Sequence, residues 1–384
     1  MLRKLMYSLM ERDDKDIKQK DLAEVIEVDR SQLSHFFNYK KELTFSAWLL
    51  AIRFLKPEKE DEIVEILAAT MIRDEARQNC RMLMEYASTS RKLDLLKLLI
   101  TSQKKANKEN KIWSNFYEIA YKFQQRNASN EDLLVELESL KPTTQEMRAF
   151  SNILKSLIFY MLKEYKCMFR LARIAEKQVK EIKNKFIRDS YMARIGEIFA
   201  RGYLYLKNDV RKSRFYANMV LNSKFLNQSY KAHTLHLLGT SYLLEDFDMS
   251  VEYFNRYKEV LTAGGRNELA KETDEKDIFF AKVLWDKNVS PSDTSDPLER
   301  MHYYAKGGDV NAVMKLSAKV SDDDPFALCY LGIALNDAEL LLLSIARFIE
   351  TGDKYFAELP KRYIEEMHHE HIVSAEILYN IKIA

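Results

Sequence analysis

The sequence predicts an all-α protein: an N-terminal helix-turn-helix domain, then an α-solenoid ending in a C-terminal capping helix. Three observations carry this. Residues 19–38, QKDLAEVIEVDRSQLSHFFN, put apolar side chains where two crossing helices need them. Beyond residue 58, apolar residues recur at helical spacing in segment after segment, with breaks of only a few residues. Gly (9) and Pro (6) are scarce in 384 residues, whereas sheets and phosphate-cradling loops need Gly-rich turns.

In chain order, Leu2, Leu5, Met6 and Leu9 predict a first helix. In the motif, Leu22, Ala23 and Ile26 give one helix an inner face, Val28 sits in the turn, and Leu33 and Phe36 face inward from the second. Ala23 allows the two helices to cross closely. Asp29 is expected to cap the second helix, with Gln32 completing a capping box. Glu27 stands where such turns usually carry Gly, and a left-handed non-Gly residue costs about 1 kcal/mol. A further helix, TFSAWLLAIRFLK, starts at Thr44 or Ser46 and stops before Pro57.

Two helices on a short turn, the second with a free polar face, make a DNA-reading unit. Arg30, Ser31, Ser34, His35 and Asn38 point away from Leu33 and Phe36 and suit major-groove edges. Gln19, Lys20, Lys40 and Lys41 lie at the motif's ends, where phosphate contacts position a reading helix. Residues 1–60 hold 12 Lys/Arg against 11 Asp/Glu. One such domain neutralises few phosphates, so useful affinity for a double-stranded operator implies a dimer on two half-sites.

The expected division is residues 1–57 for the helix-turn-helix domain, 58–369 for the repeats and 370–384 for the capping and dimerisation helix. Short links between antiparallel helices make stacked hairpins. Three hairpins share an apolar–Gly pair, at Ile195–Gly196, Leu238–Gly239 and Leu331–Gly332, followed by Phe199, Tyr242 and Leu335. They resemble degenerate tetratricopeptide repeats. The stretch 286–297, DKNVSPSDTSDP, is the one clear loop. In the last helix, Ile377, Leu378 and Ile381 form an apolar stripe with nothing after it to cover it, which suggests a second copy of the chain.

Several functions lack support. No GxxxxGK[ST], GxGxxG or HExxH occurs, so neither enzyme activity nor a cofactor is expected. MHHEH at 367–371 puts His368 and His371 one turn apart, two ligands short of a metal site. Cys80, Cys167 and Cys329 are far apart and odd in number, which reads as reduced thiols in a cytoplasm. LLLLSIA at 340–346 is too short to span a membrane, and MLRKLMYSLMER lacks the core of a signal peptide. Residues 155–188 carry 10 Lys/Arg against 3 Asp/Glu, which reads first as a solvated helical face and second as a contact for DNA or an acidic protein.

A helix-turn-helix ahead of such repeats resembles the peptide-pheromone receptors of Gram-positive bacteria. Within that group the chain is similar to the arbitrium receptors of Bacillus phages. EMRAFSNIL (146–154), the region 187–261 around IRDSYMARI and LLGTSYLLEDFD, and GDKYFAELPKRYIEEM (352–367) carry the resemblance. It implies a cytoplasmic homodimer in a host bacterium that binds its operator and favours lysis until a short signalling peptide binds the repeats. It further implies peptide contacts at Phe280, Glu299 and Asp353, with the two acids facing an Arg of the peptide. Other contacts on the inner helices fall here nearest Arg201, Tyr205, Ser229 and Thr240. A rival reading is a repeat module that sequesters a partner protein, with the N-terminal helices only packing.

Overall fold

The structure is a computed structural model that describes residues 2–10, 17–73, 77–367 and 369–381. Among them there are helices and no strand, and none of the helices is long and apolar enough to cross a membrane. The expected all-helical architecture is therefore what forms. Two compact units are present. The first comprises Met1–Leu162, Arg170–Ala193 and Ser223–Asn227; the second comprises Lys163–Phe169, Arg194–Asn222 and Gln228–Ala384.

The first unit begins with α1 (Leu2–Met10), α2 (Gln19–Val25), α3 (Arg30–Phe37) and α4 (Phe45–Leu55). Leu2, Met6 and Leu9 of α1, Leu22 and Ala23 of α2, and Leu33, Phe36 and Phe37 of α3 are buried, as is Ile26 just beyond α2. Trp48 of α4 meets the Phe36 ring edge-on at 5.7 Å between centroids. The turn is closed by the Val28 backbone N–H, which donates to the Ala23 carbonyl at 3.1 Å. Glu27 does adopt the left-handed conformation, with φ +57°. Thr44 caps α4 by accepting from the Ala47 N–H at 3.3 Å, and α4 ends at Leu55, ahead of Pro57. The capping box at α3 does not form. Asp29 has the extended backbone of a cap, but its carboxylate accepts no helix N–H. At an exposed helix end water can satisfy those donors, so nothing forces the side chain to do so.

Helices Glu60–Arg73, Arg77–Thr89, Leu93–Gln103, Lys108–Gln125, Asn130–Ser139 and Gln145–Met161 follow in the same unit. Its centre holds a buried acid, Glu85, which accepts from the Tyr117 hydroxyl at 2.9 Å and from the Ser190 hydroxyl. These bonds offset the loss of hydration. Phe150 stacks on Tyr191 beside it at 5.2 Å.

In the second unit, hairpins recur from Val210–Leu221 through Ile372–Tyr379. The three repeat glycines mark close helix crossings. A Cβ on Gly196 would meet the Met219 side chain at 2.9 Å, on Gly239 the Phe254 ring at 2.6 Å, and on Gly332 the Leu341 side chain at 2.8 Å. The position after the glycine is less regular than expected. Phe199 is buried, but Leu335, which ends its helix, is exposed, because a left-handed Asn336 turns the chain away at once. The loop at 286–297 contains a 3₁₀ turn, Pro291–Asp293, closed by a capping box at Ser290.

The last helix, Ile372–Tyr379, is shorter than the sequence suggests, and residues 382–384 lie outside the described residues. Ala375 and Tyr379 are buried in the unit's core, and Leu378 packs against that core. Leu378 is therefore not part of a free stripe. The exposed apolar residues are Val373 (70%) and Ile377 (64%), one helical turn apart, and Ile381 (51%), which lies beyond the end of the helix.

Candidate functional site

In the first unit, the nine residues expected to meet DNA are all exposed: Gln19, Lys20, Arg30, Ser31, Ser34, His35, Asn38, Lys40 and Lys41. The helical period alone produces this for α3, since Leu33, Phe36 and Phe37 are buried on the opposite side. Arg3 of α1 fixes the C-terminal end of α3. Its Nε donates to the Phe36 carbonyl at 2.7 Å, its guanidinium pairs with Glu42 at 2.6 Å, and it lies 4.4 Å from the centre of the Tyr39 ring. Nothing in the motif's own pattern points to Arg3.

In the second unit, residues 353–356 gather most of the expected peptide contacts. The Lys354 backbone N–H donates to the Tyr205 carbonyl at 2.6 Å. The Tyr355 hydroxyl donates to the Thr240 carbonyl and accepts from the Leu244 N–H. Asp353 accepts the Phe356 N–H at 3.0 Å. The Phe356 ring lies 6.1 Å from Phe280, edge-on, and Phe280 lies 4.7 Å from His302. His302 is one helical turn after Glu299 on the helix Pro297–Lys306. Tyr205, Thr240, Phe280 and Asp353 are thus linked through one short segment, and Glu299 lies on the helix whose His302 packs against Phe280. Arg201 pairs with Glu197 at 3.4 Å, one turn before Tyr205.

Two of the expected contacts are qualified by this geometry. Ser229 lies near the start of the helix Gln228–Tyr242, about 16 Å along it from Thr240, and its hydroxyl accepts from Arg266 at 3.3 Å. The Thr240 hydroxyl is buried and donates to the His236 carbonyl in its own helix.

Two π-helical turns, Gly202–Leu206 and Asp274–Ile278, fall beside these residues. Such bulges interrupt the regular ladder and often occur at functional sites. The first contains Tyr205. The second contains Asp277, which holds His236 at 3.1 Å.

The acids here are unusual. Burial raises the Asp353 carboxyl to about 6, even though backbone N–H groups of Phe356 and Tyr355 favour its ionised form. Burial raises Glu299 well above the usual carboxylate range, and the nearby Asp296 and Asp277 add to this. Glu299 Oε2, both ring nitrogens of His302 and the Tyr330 hydroxyl are buried without a hydrogen bond among the described residues. His302 and Tyr330 stack in parallel at 4.7 Å, and burial lowers the imidazole to about 3. Their donors and acceptors are unused among the described residues, although buried polar groups normally find partners. His302 and Tyr330 were not expected from the sequence, where only the Glu299–His302 spacing hinted at a shared helix face.

Of the remaining sequence features, Cys80 and Cys329 are buried, while Cys167 is half-buried rather than part of the core. His368 lies outside the described residues, among which no cluster of His, Cys, Asp and Glu could hold a metal. In the basic stretch, Lys155 pairs with Glu138, Lys180 with Glu176 and Lys185 with Glu27.

A helix-turn-helix followed by helical hairpins defines a class of all-helical proteins. The model of the AimR transcriptional regulator-like family matches residues 64–366, and the chain belongs to this family. The chain is 22% identical over 342 residues to the AimR transcriptional regulator of Bacillus phage phi3T, covering 85% of this chain and 88% of the relative. It is 26% identical over 245 residues to an uncharacterised protein of Bacillus anthracis, covering 60% of this chain and 90% of the relative. The fold is similar to that of selenomethionine phAimR, with a TM-score of 0.78 at 19% identity over 99% of this chain and all of the other. It is similar to ligand-bound phAimR with a TM-score of 0.64 at 19% identity, covering 85% and 98% of the two chains.

Proposed function

We propose that this protein is a homodimeric, DNA-binding transcription regulator that acts in the cytoplasm of a host bacterium and governs a phage's choice between lysis and lysogeny. Without ligand, the dimer binds a double-stranded operator. A short signalling peptide bound by the repeats ends activation. Residues 1–57 read DNA, 58–369 hold the peptide, and 370–384 cap the repeats and join the dimer. The observation that carries this reading is the exposed polar face of α3 on a chain of a transcriptional regulator-like family. A protein that only sequesters a partner has no need of that face.

The peptide's character follows from the buried acids. Glu299 and Asp353 are costly to ionise in the free protein. A cationic side chain of the peptide supplies the missing counter-charge, and both acids then ionise around it. Phe280 forms an apolar wall, and Arg201, Tyr205, Ser229 and Thr240 line the approach. The dimer contact is the exposed stripe that includes Ile377 and Ile381, and Leu378 supports it from within.

Gel-shift titration tests the DNA half of this reading. Arg30→Ala or His35→Ala should each weaken operator binding by about 1–3 kcal/mol if each reads a base. Unchanged binding by both variants removes the helix-turn-helix from the account. If no short peptide shifts DNA binding, the sequestering module replaces the receptor.

A further inference from the structure

The carboxylate of Glu27 is not idle. In the turn between α2 and α3 it is gripped by two ammonium groups from far along the chain, Lys185 and, at 2.9 Å, Lys224. These bonds hold its carboxyl below the usual range. Glycine at this position would relieve the left-handed backbone but could not be held this way.

Lys224 belongs to a five-residue stretch with unusual placement. Ser223–Asn227 is part of the first unit, while the segments on either side, Arg194–Asn222 and Gln228–Ala384, belong to the second. The stretch makes three more contacts within the first unit. Arg53 Nη1, on α4, donates to the carbonyls of Lys224 at 3.0 Å and Leu226 at 3.4 Å, while the rest of its guanidinium holds Glu60. Phe225 is buried edge-on against Phe186 at 5.0 Å, and Phe186 is edge-on to Phe45, the first residue of α4. The Ser223 hydroxyl donates to Asp189. A charged grip on the turn, a backbone grip on α4 and an aromatic anchor therefore come from five consecutive residues.

We propose that Ser223–Asn227 is a clamp that sets the orientation of the DNA-reading helix, with Lys224 and Lys185 as positioning residues acting through Glu27. This rests on the DNA-reading function proposed above. The stretch is continuous with the helices Val210–Leu221 and Gln228–Tyr242 and has no slack: five residues span at most about 17 Å. Half-exposed ion pairs are weak and salt-sensitive, which suits a grip meant to be released.

The test uses the full-length chain and a duplex recovered by selection from random-sequence DNA with that chain. Lys224→Gln and Glu27→Gln alter exposed side chains and should leave the fold intact. Both should raise the amide exchange rates of α2 and α3 several-fold and lower affinity for the selected duplex about tenfold. Binding of unrelated DNA and the slope of affinity against salt should not change, since a positioning residue neutralises no phosphate. Lys224→Arg should restore both readouts. A salt slope reduced by about one in Lys224→Gln would make Lys224 a phosphate contact and overturn the clamp. So would unchanged exchange and affinity in both Gln variants while Arg30→Ala loses the duplex, leaving the DNA-reading function standing. If the parent chain enriches no duplex, DNA reading itself fails, and with it the clamp's proposed role.

Discussion

The Lys354 backbone N–H and the Tyr205 carbonyl are joined at 2.6 Å. This bond ties the turn after Gly352 to the π-helical end of the helix that carries Arg201. The carbonyl is available because the π turn breaks the usual i to i+4 ladder. Gly352 makes the approach possible, with φ +80° and the Tyr165 ring where a Cβ would sit. Asp353 and Tyr205 are therefore one structural element, so a ligand that displaces either moves both.

Asp353 should make stability fall as pH rises. Its carboxyl titrates near 3.8 without burial and about 6 in the fold. Below 3.8 it is protonated in both folded and unfolded states. As pH climbs through 6 the unfolded state is favoured, by up to about 3 kcal/mol. Asp353→Asn keeps an oxygen to accept the Phe356 N–H and removes the titration. Urea melts from pH 4 to 7.5 should show this variant gaining on the parent as pH rises. A constant difference would remove Asp353 as the source.

In ligand binding the same residue should matter in the opposite direction. Asp353→Ala should weaken binding of the signalling peptide by about 2–5 kcal/mol if the charge pair is buried, with peptide-free DNA binding intact. Calorimetry decides this, and equal affinity would clear Asp353 of the role.

Glu299→Gln should hardly change stability, because burial disfavours the ionised form of this carboxyl. Cationic ligand binding should suffer and should change its proton count. The parent should release protons on binding, read as an enthalpy that depends on the buffer's ionisation heat, and the Gln variant should release fewer. Identical buffer dependence in both would show that Glu299 stays protonated in the complex.

Gly239→Ala places a methyl group 2.6 Å from the Phe254 ring at a helix crossing. Overpacking of this kind should cost about 1–3 kcal/mol, measured by denaturant unfolding. A neutral substitution would mean that the helices Gln228–Tyr242 and Phe247–Ala263 can separate freely.

Ile377→Lys with Ile381→Lys should give folded monomers by light scattering, since both side chains are exposed in the single chain. Leu378→Lys should instead destabilise the last helix, because Leu378 packs against the core. A persistent dimer in the double variant would place the interface elsewhere.

Helix identity, the repeat glycines and the polar face of α3 were legible because they depend on local spacing. The period of 3.6 residues sorts Leu33 and Phe36 from Arg30 and Ser34 without any knowledge of the fold. The same rule failed where exposure depends on what packs nearby. Leu378 reads as free in a sequence that ends soon after it, yet the core reaches it. The capping box at Asp29 was a local pattern that an exposed helix end does not enforce.

The sequence by itself determined the all-helical class, the helix-turn-helix pattern and the turn at Glu27, since each follows from residues within one or two helical turns. Only the tertiary structure decided what that Glu27 is for, bringing Lys185 and Lys224 to it across 158 and 197 residues. It alone joined Tyr205, Thr240, Phe280 and Asp353 around residues 353–356, and left Glu299, His302 and Tyr330 buried with hydrogen-bonding atoms unused among the described residues. Burial and charge depend on neighbours distant in the chain, and no local pattern encodes which neighbours those are.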